Sequence, residues 1–384
     1  MLAVGLMSGT SLDGVDAALV EILPRPNGYA VTLRTFLTQP FERNLRDGLL
    51  AALPPNAGGL SALALLHRTL GRAYAAAVGA IAPAEPIGYV ASHGQTVWHD
   101  GAAHVTLQIG DAFEIRDAAK ATVCYDFRSA DCVAGGHGAP LTAFVDALLL
   151  GSASQDRVAV NLGGIANVTL LTAGAAPEEA RGFDTGPANM LIDGFVRDRT
   201  RGIQSFDRDG ALAGAGRVDD ALLHAMFGDA YFEASPPKTT GREHFGVQFL
   251  GPHQDALAQL SLQDGAATLT ELTAATIAQA VAREGFGGAR IFVSGGGARN
   301  PVLLSRLAAR LGRSQVETTD ALGIPVDAKE AIVFAVLGYE TLRGRPANAL
   351  GATGAARRVA LGAIAPYRLR ELLAQIESEC TAAA

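Results

Sequence analysis

Ser8, Gly9, Thr10 and Ser11 follow directly on an apolar run, with Asp13 and Asp16 close behind. A turn of this kind can hold a phosphate without a lysine: backbone N–H groups and hydroxyls donate, and glycine lets the chain come close. Carboxylates beside it can hold the water shell of a magnesium ion. The usual phosphate signatures are missing. The chain has three lysines, Lys120, Lys238 and Lys329, none following glycine, so there is no Walker A loop and no GxGxxG run. The same residues also suit a plain polar hairpin turn, because turns favour small polar side chains.

Two later turns have the same form. Asn161-Leu162-Gly163-Gly164-Ile165-Ala166-Asn167 carries amides where the first turn carries acids, and Gly295, Gly296 and Gly297 precede Asn300 and Pro301. The triplet is placed to lie against an adenine or ribose, or it is a simple strand-to-helix turn. Between them, Gly182-Phe183-Asp184-Thr185-Gly186-Pro187 delivers one carboxylate at a strand end. Asp184 can act there as a general base or as the N-cap of a helix beginning at Pro187. His93, His99 and His104 have spacings that suit no zinc site. His93 and Gln95 read as polar groups lining a pocket at a strand end, with Trp98 against a sugar face and His99 and His104 structural. The run Gly135–Pro140 is a further anion or substrate turn.

Positioning these residues takes strands and helices in alternation. Strands are expected over Leu2–Leu6, Val15–Ile22 and Tyr29–Thr38, a meander around the first turn. Leu63, Leu66, Leu70, Tyr74, Val78 and Ile81 recur at helical spacing. A strand Ile87–Ala91, a helix Asp111–Lys120 and a strand Ala121–Tyr125 follow, the alternation of a parallel sheet. At Arg157–Leu162 and Val168–Thr172 the strand–turn–strand unit begins again, and Arg290–Ser294 leads into the glycine triplet. Two similar lobes follow, and Thr200–Arg217, rich in Arg, Asp and Gly, reads as a mobile connection.

The 384 residues allow two or three domains. With 49% hydrophobic and 18% charged residues the chain is neither disordered nor a coiled coil, and its 45 glycines exceed the roughly 7% of ordinary proteins. A net charge of −7 offers no general basic surface to nucleic acid or anionic lipid, which points to small-molecule partners. Cys124, Cys132 and Cys380 form no framework, the first sixteen residues lack the features of a signal peptide, and Pro83, Glu85 and Pro86 interrupt the most apolar stretch. A cytoplasmic protein without a membrane segment is the expectation.

Taken together, GLMSGTSLDGVD, SHGQTVWH, GGHGAPL, NLGGIAN, FDTGPANML, SGGGARN and DAKEAIVFAVL resemble the anhydro-N-acetylmuramic acid kinases, in order, from Gly5 to about Leu337. The resemblance implies an α/β fold of two ribonuclease H-like lobes of the sugar kinase, Hsp70 and actin type around a central cleft. The first lobe would span 1–130, with about 346–384 packing back on it, and the second 131–345. It implies ATP and Mg2+, and an amino-sugar substrate, 1,6-anhydro-N-acetylmuramic acid. That sugar would be opened hydrolytically and phosphorylated at its 6-oxygen in cell-wall recycling. Gly9, Thr10, Ser11, Leu12, Asp13, Gly14, Val15 and Asp16 become the phosphate loop, with Asn161, Gly163, Gly164, Gly295, Gly296 and Gly297 as further ATP contacts. Asp184 becomes the base, and Asp13, Asp16 and Asp184 hold the metal through water. His93, Gln95, Thr96 and Glu330 fall to the sugar, although Glu330 at a helix start also has a plain structural reading. Arg128, Arg197, Arg201 and Arg242 are all available for the substrate's carboxylate, and a homodimer is compatible with the chain.

The chain departs from the wider group where Met7 and Asn161 stand in place of acids, and from the closer family where Ala188 and His137 replace an expected glycine and glutamine. Other readings have less behind them. A sugar-responsive regulator lacks a preceding helix-turn-helix, a filament protein does not account for the Asp-Thr-Gly-Pro turn, and a serine hydrolase at Ser8 lacks the GxSxG elbow.

Overall fold

The computed structural model describes residues 1–9, 12–25, 28–53, 59–81 and 85–383, except the side chain of Val247. Thr10 and Ser11 of the first turn lie outside the described residues. The chain forms two compact units, one of Met1–Val145 with Ala328–Ala384 and the other of Asp146–Asp327.

In the first unit, β1 (Leu2–Met7), β2 (Gly14–Arg25) and β3 (Gly28–Pro40) form an antiparallel meander. Next come β4 (Tyr89–Ser92), the hairpin pair β5 (Gln95–Asp100) and β6 (Val105–Ile109), and β7 (Thr122–Tyr125). The sheet order is β7-β4-β1-β2-β3, with β1, β4 and β7 parallel, and a short returning strand Ala363–Ala365 pairs antiparallel with β7. β1 and β4 are almost wholly buried because the sheet is covered on both faces there, whereas β3 has no fully buried residue. The helix Leu60–Ile81 covers one face with Leu70, Tyr74, Ala77, Val78 and Ile81, residues spaced by three and four. The helix Lys329–Leu342 packs on β1, β2 and β4. It lies so close that a Cβ at Gly5 would stand 1.8 Å from the Ala331 carbonyl oxygen, and one at Gly338 2.7 Å from Ala91 Cβ.

The second unit repeats the plan with β8 (Arg157–Leu162), β9 (Ile165–Leu171), β10 (Arg181–Pro187), β11 (Arg290–Ser294) and β12 (Val316–Thr318). The order is β10-β9-β8-β11-β12, the first three antiparallel and β8, β11 and β12 parallel. The long helix Leu262–Arg283 starts at a Ser261 cap that accepts from Asp264 N at 3.0 Å, and it carries the core on Ala274, Ile277 and Val281. The helix Pro301–Leu311 starts as its sequence predicts, Asn300 Oδ1 accepting from Val302 and Leu303 N–H with Pro301 in the first turn.

Three expectations differ. The first unit runs past 130 to Val145 and resumes at Ala328 rather than near 346, because the helix Lys329–Leu342 fills the groove over β1. Thr200–Arg217 carries a helical turn Arg208–Gly210 and a helix Ala211–Ala215, pinned by buried Asp207 accepting from Leu212 and Ala213 N–H. The helix after Asp184 begins at Asn189, not Pro187. Among the described residues no helix is long and apolar enough to cross a membrane.

Candidate active site

In the first unit the candidate residues gather where the parallel strands end, the edge at which open α/β sheets bind ligands. Leu6 of β1 stands beside Ser92 of β4, and His93 N–H bonds the Leu6 carbonyl at 3.0 Å. Ser8, buried, donates its hydroxyl to Gln95 Oε1 at 2.7 Å, so Gln95 anchors the start of the turn after β1. A Cβ at Gly9 meets no atom of the described residues within 4 Å. Leu12, buried at a left-handed φ of 52°, donates its N–H to the Gly9 carbonyl at 3.4 Å and closes the turn. Val15 is core. Gly14 is required by the sheet, since a Cβ there would stand 2.3 Å from the Gln39 carbonyl oxygen. Asp13 is exposed, and Asp16, half-buried, accepts from the Thr38 hydroxyl at 2.6 Å.

His93 is 3% exposed and both its ring nitrogens are used within the protein. Nδ1 donates to the Gly94 carbonyl at 2.8 Å, because a carbonyl can only accept; Nε2 accepts from Arg128 Nε at 3.0 Å, because a guanidinium can only donate. The ring is therefore a neutral Nδ1–H tautomer. Its pKa is held well below the usual histidine range by burial first and by the Arg128 charge second. Thr96, half-buried, accepts from Gln108 Nε2 at 3.1 Å on the β5–β6 hairpin. Phe334 packs on His93 with ring centroids 4.6 Å apart, while Gly338, four residues on, packs on Tyr89 and Ala91. The helix Lys329–Leu342 thus runs antiparallel to β4. Half-buried Glu330, one turn before Phe334 on the same face, lies toward the strand-end side.

In the second unit the Gly163–Gly164 turn meets the start of the helix Asn189–Arg199. Ala188 and Met190 N–H donate to the Gly164 carbonyl at 3.0 and 3.1 Å, and Asn189 N–H to the Gly163 carbonyl at 3.0 Å. Asn189 Nδ2 also donates to the Leu162 carbonyl. Gly295 sits at φ +80°, where a Cβ would stand 2.6 Å from Asn161 Oδ1, which also accepts from Ser294 Oγ at 3.4 Å. Gly297 is likewise closed against Leu162, whereas Gly296 is open to within 4.0 Å.

Asp184 lies on β10 opposite Asn167, beside a β-bulge before Gly186. The chain stays in strand to Pro187 and Ala188 occupies the N-cap position without a side-chain cap bond, so the capping reading of Asp184 is corrected. Asp184 is instead held from a segment that sequence reasoning passed over. Its N–H donates to the Lys238 carbonyl at 3.1 Å, its carbonyl accepts from Tyr231 OH at 2.8 Å, and its half-buried Oδ2 accepts from Thr240 N–H at 2.9 Å. Lys238 is pulled below the usual lysine range by burial, and the Tyr231 hydroxyl is pushed up by burial first and the Asp184 charge second. The one local signal was the aromatic and basic density of Tyr231–Phe245. Among the described residues no group of three or more His, Cys, Asp and Glu is arranged to hold a metal.

A three-strand antiparallel meander followed by two parallel strands, built twice in one chain, is the ribonuclease H-like duplication of the sugar kinase, Hsp70 and actin group. Within it, this chain belongs to the anhydro-N-acetylmuramic acid kinase family, whose profile matches residues 1–367. A curated relative from Streptomyces coelicolor (strain ATCC BAA-471 / A3(2) / M145), an anhydro-N-acetylmuramic acid kinase, is 43% identical over 376 residues, covering 96% of this chain and 94% of its own. Solved structures with similarity include the activator of the 2-hydroxyisocaproyl-CoA dehydratase from Clostridium difficile with bound ADPNP. It is 12% identical, with 88% of this chain and 93% of that one covered and a TM-score of 0.39. A ROK family glucokinase from Streptomyces griseus in complex with glucose and AMPPNP is 11% identical, with 88% and 99% covered and a TM-score of 0.38.

Proposed function

We propose that the protein uses ATP to phosphorylate the 6-oxygen of 1,6-anhydro-N-acetylmuramic acid while water opens the anhydro bridge, giving N-acetylmuramic acid 6-phosphate and ADP for cell-wall recycling. Family membership makes it a phosphotransferase with an alcohol acceptor. The observation that carries the residue assignment is the setting of Asp184: a half-buried carboxylate at a bulge, its backbone tied at both ends and one oxygen oriented by the Thr240 amide. Such a carboxylate is aimed by the fold, as a general base must be. In this reading Asp184 takes a proton from water as the water oxygen bonds to the anomeric carbon and the bond from that carbon to the bridge oxygen breaks. The released 6-oxygen bonds to the γ-phosphorus of ATP, and the bond to ADP breaks.

The turn after β1 cradles phosphate with its N–H groups and hydroxyls, and Gln95 fixes its start through Ser8. Asn161, Gly163, Gly164 and Gly295–Gly297 complete the nucleotide contacts, while Thr96 and Glu330 face the sugar. His93, with both nitrogens bonded, serves by orienting Arg128. Asp13, Asp16 and Asp184 would each meet a magnesium ion through its waters. Bound with ATP, magnesium would supply charge neutralisation on the phosphates. The deciding experiment incubates the protein and Asp184→Asn with ATP, magnesium and a panel of anhydro and ordinary amino sugars, with mass analysis of the products. Phosphorylation of ordinary sugars alone, or full activity in the Asn protein, would overturn the reading.

A further inference from the structure

The geometry points to Arg128, His99 and His137 as the subsite that takes the carboxylate of the substrate's lactyl ether, an assignment that rests on the function proposed above. All three lie in the first unit around the Gly135–Pro140 turn. Arg128 Nε is fixed on His93 at 3.0 Å and its Nη1 on the Gly138 carbonyl at 2.7 Å, which orients the guanidinium plane. His137 belongs to that turn, its own N–H bonded to the Thr353 carbonyl at 2.8 Å. Its Nδ1 is buried with no hydrogen-bond partner among the described residues. A buried ring nitrogen without a partner is costly and is expected to find one in a ligand. His99 approaches from the β5–β6 hairpin, its Nδ1 set by the Thr106 hydroxyl at 3.1 Å.

His104, on the same hairpin, has its Nδ1 on the Gly136 carbonyl at 2.7 Å and its ring 6.3 Å from that of His137, which brings the hairpin to the turn, and His99 feels both of the other groups. His99 is lowered to about 4, first by burial, then by the charges of Arg128 and His137, with only Asp100 opposing. Groups able to carry positive charge have therefore been brought together at a price in proton affinity, and an anion among them would reverse it. The aspartates of these segments are bonded within the protein. Asp100 Oδ1 accepts from Ala103 N–H, Asp126 Oδ1 from the Ser129 N–H and hydroxyl, and fully buried Asp131 from Gly138 N–H, Asn348 Nδ2 and Thr353 Oγ1. Beside the cluster, Thr96, Gln108, Thr106 and His99 form a bonded polar ladder along the hairpin, a surface matched to sugar hydroxyl and amide groups. Of the four arginines open to this role from sequence, Arg128 is the one that belongs to the first unit, bonded to His93 and to the Gly138 carbonyl. His137, where the family resemblance leads to glutamine, adds a chargeable donor.

The test has two arms. Trp98, the chain's one tryptophan, sits on β5 next to His99, so its fluorescence can follow N-acetylmuramic acid and, as the control without a lactyl group, N-acetylglucosamine. Kinetics compare the anhydro sugar with its lactyl carboxamide. The parent should prefer the carboxylate by about tenfold in kcat/KM, the weight of one charge-assisted hydrogen bond. His99→Gln and His137→Gln should each lose about threefold or more of that preference, through KM for the sugar, with kcat and KM for ATP unmoved. Equal handling of carboxylate and carboxamide by the parent, or an unchanged preference in both variants, overturns the subsite. A rise in KM for ATP alone overturns it in favour of a phosphate site. If the parent phosphorylates neither anhydro sugar, the function reading fails, while the fluorescence arm still decides carboxylate binding.

Discussion

The two units carry one rung of residues at the same register and use it differently. In the first, Met7, Asp16 and Thr38 stand side by side across β1, β2 and β3; in the second, Asn161, Asn167 and Asp184 stand across β8, β9 and β10. Registered neighbours share a face of the sheet. The acid is on the middle strand in the first rung and on the third in the second. In the first rung it is bonded by the Thr38 hydroxyl in regular sheet, whereas in the second it sits at a bulge under the Thr240 amide. The turns differ likewise. The first is long and rich in hydroxyls, while the Gly163–Gly164 turn gives its carbonyls to a helix start. Duplication supplies two equivalent positions, and a bulge plus one amide separates a carboxylate held in regular sheet from the one proposed above as the base.

The sharpest way to break this comparison is Asp184→Asn. Asn keeps an acceptor for the Thr240 amide and Asp184 caps no helix, so folding should be little changed while turnover falls about a hundredfold or more. A rate within a few-fold of the parent would make the two rungs equivalent. Gly9→Val probes the first turn. No described residue crowds a Cβ at Gly9, so circular dichroism should match the parent while KM for ATP rises by about tenfold, the loss of one close backbone approach; unchanged ATP kinetics would remove the turn from the site. Thr38→Val removes the hydroxyl from Asp16 and should cost about 1 kcal/mol or less in urea unfolding, with only a few-fold effect on KM for ATP.

The smallest effect concerns Asp193, on the helix that follows the second rung. Burial, then Asp207, raises it to about 7 against the lowering effect of Arg197. A carboxyl whose pKa is raised on folding binds its proton more tightly in the folded state. Its contribution is therefore neutral below the unfolded pKa, near 4, and destabilising as pH rises through about 7. Asp193→Asn should thus raise Tm by about 2–4 °C at pH 8 and leave it unchanged at pH 4. An equal shift at both pH values would assign the effect to packing.

What could be read in sequence was local. Arg157–Leu162 and Arg290–Ser294 emerge at the expected bounds because continuous apolar runs between turn residues leave one choice, and Asn300-Pro301 is a cap with a mechanism. The positions of the candidate residues were legible as strand ends and turns. Their partners were not: Arg128 reaches His93 across 35 residues, Thr240 reaches Asp184 across 56, and Asp131 reaches Thr353 across 222. No periodicity encodes such pairs. Thr200–Arg217 misled because its composition is that of a loop, while buried Asp207 supplies the acceptors that end-on N–H groups need.

The close fit of the helix Lys329–Leu342 over Gly5 has a bearing on birth of the chain. β1 leaves the ribosome before the whole of Asp146–Asp327, and the helix that seals it only after. At ~5–20 residues per second the stretch from β1 to that helix leaves an apolar strand face without its lid for roughly fifteen to sixty-five seconds. The second unit, continuous in sequence, is free to form in that interval, so the unit begun first is the one completed last.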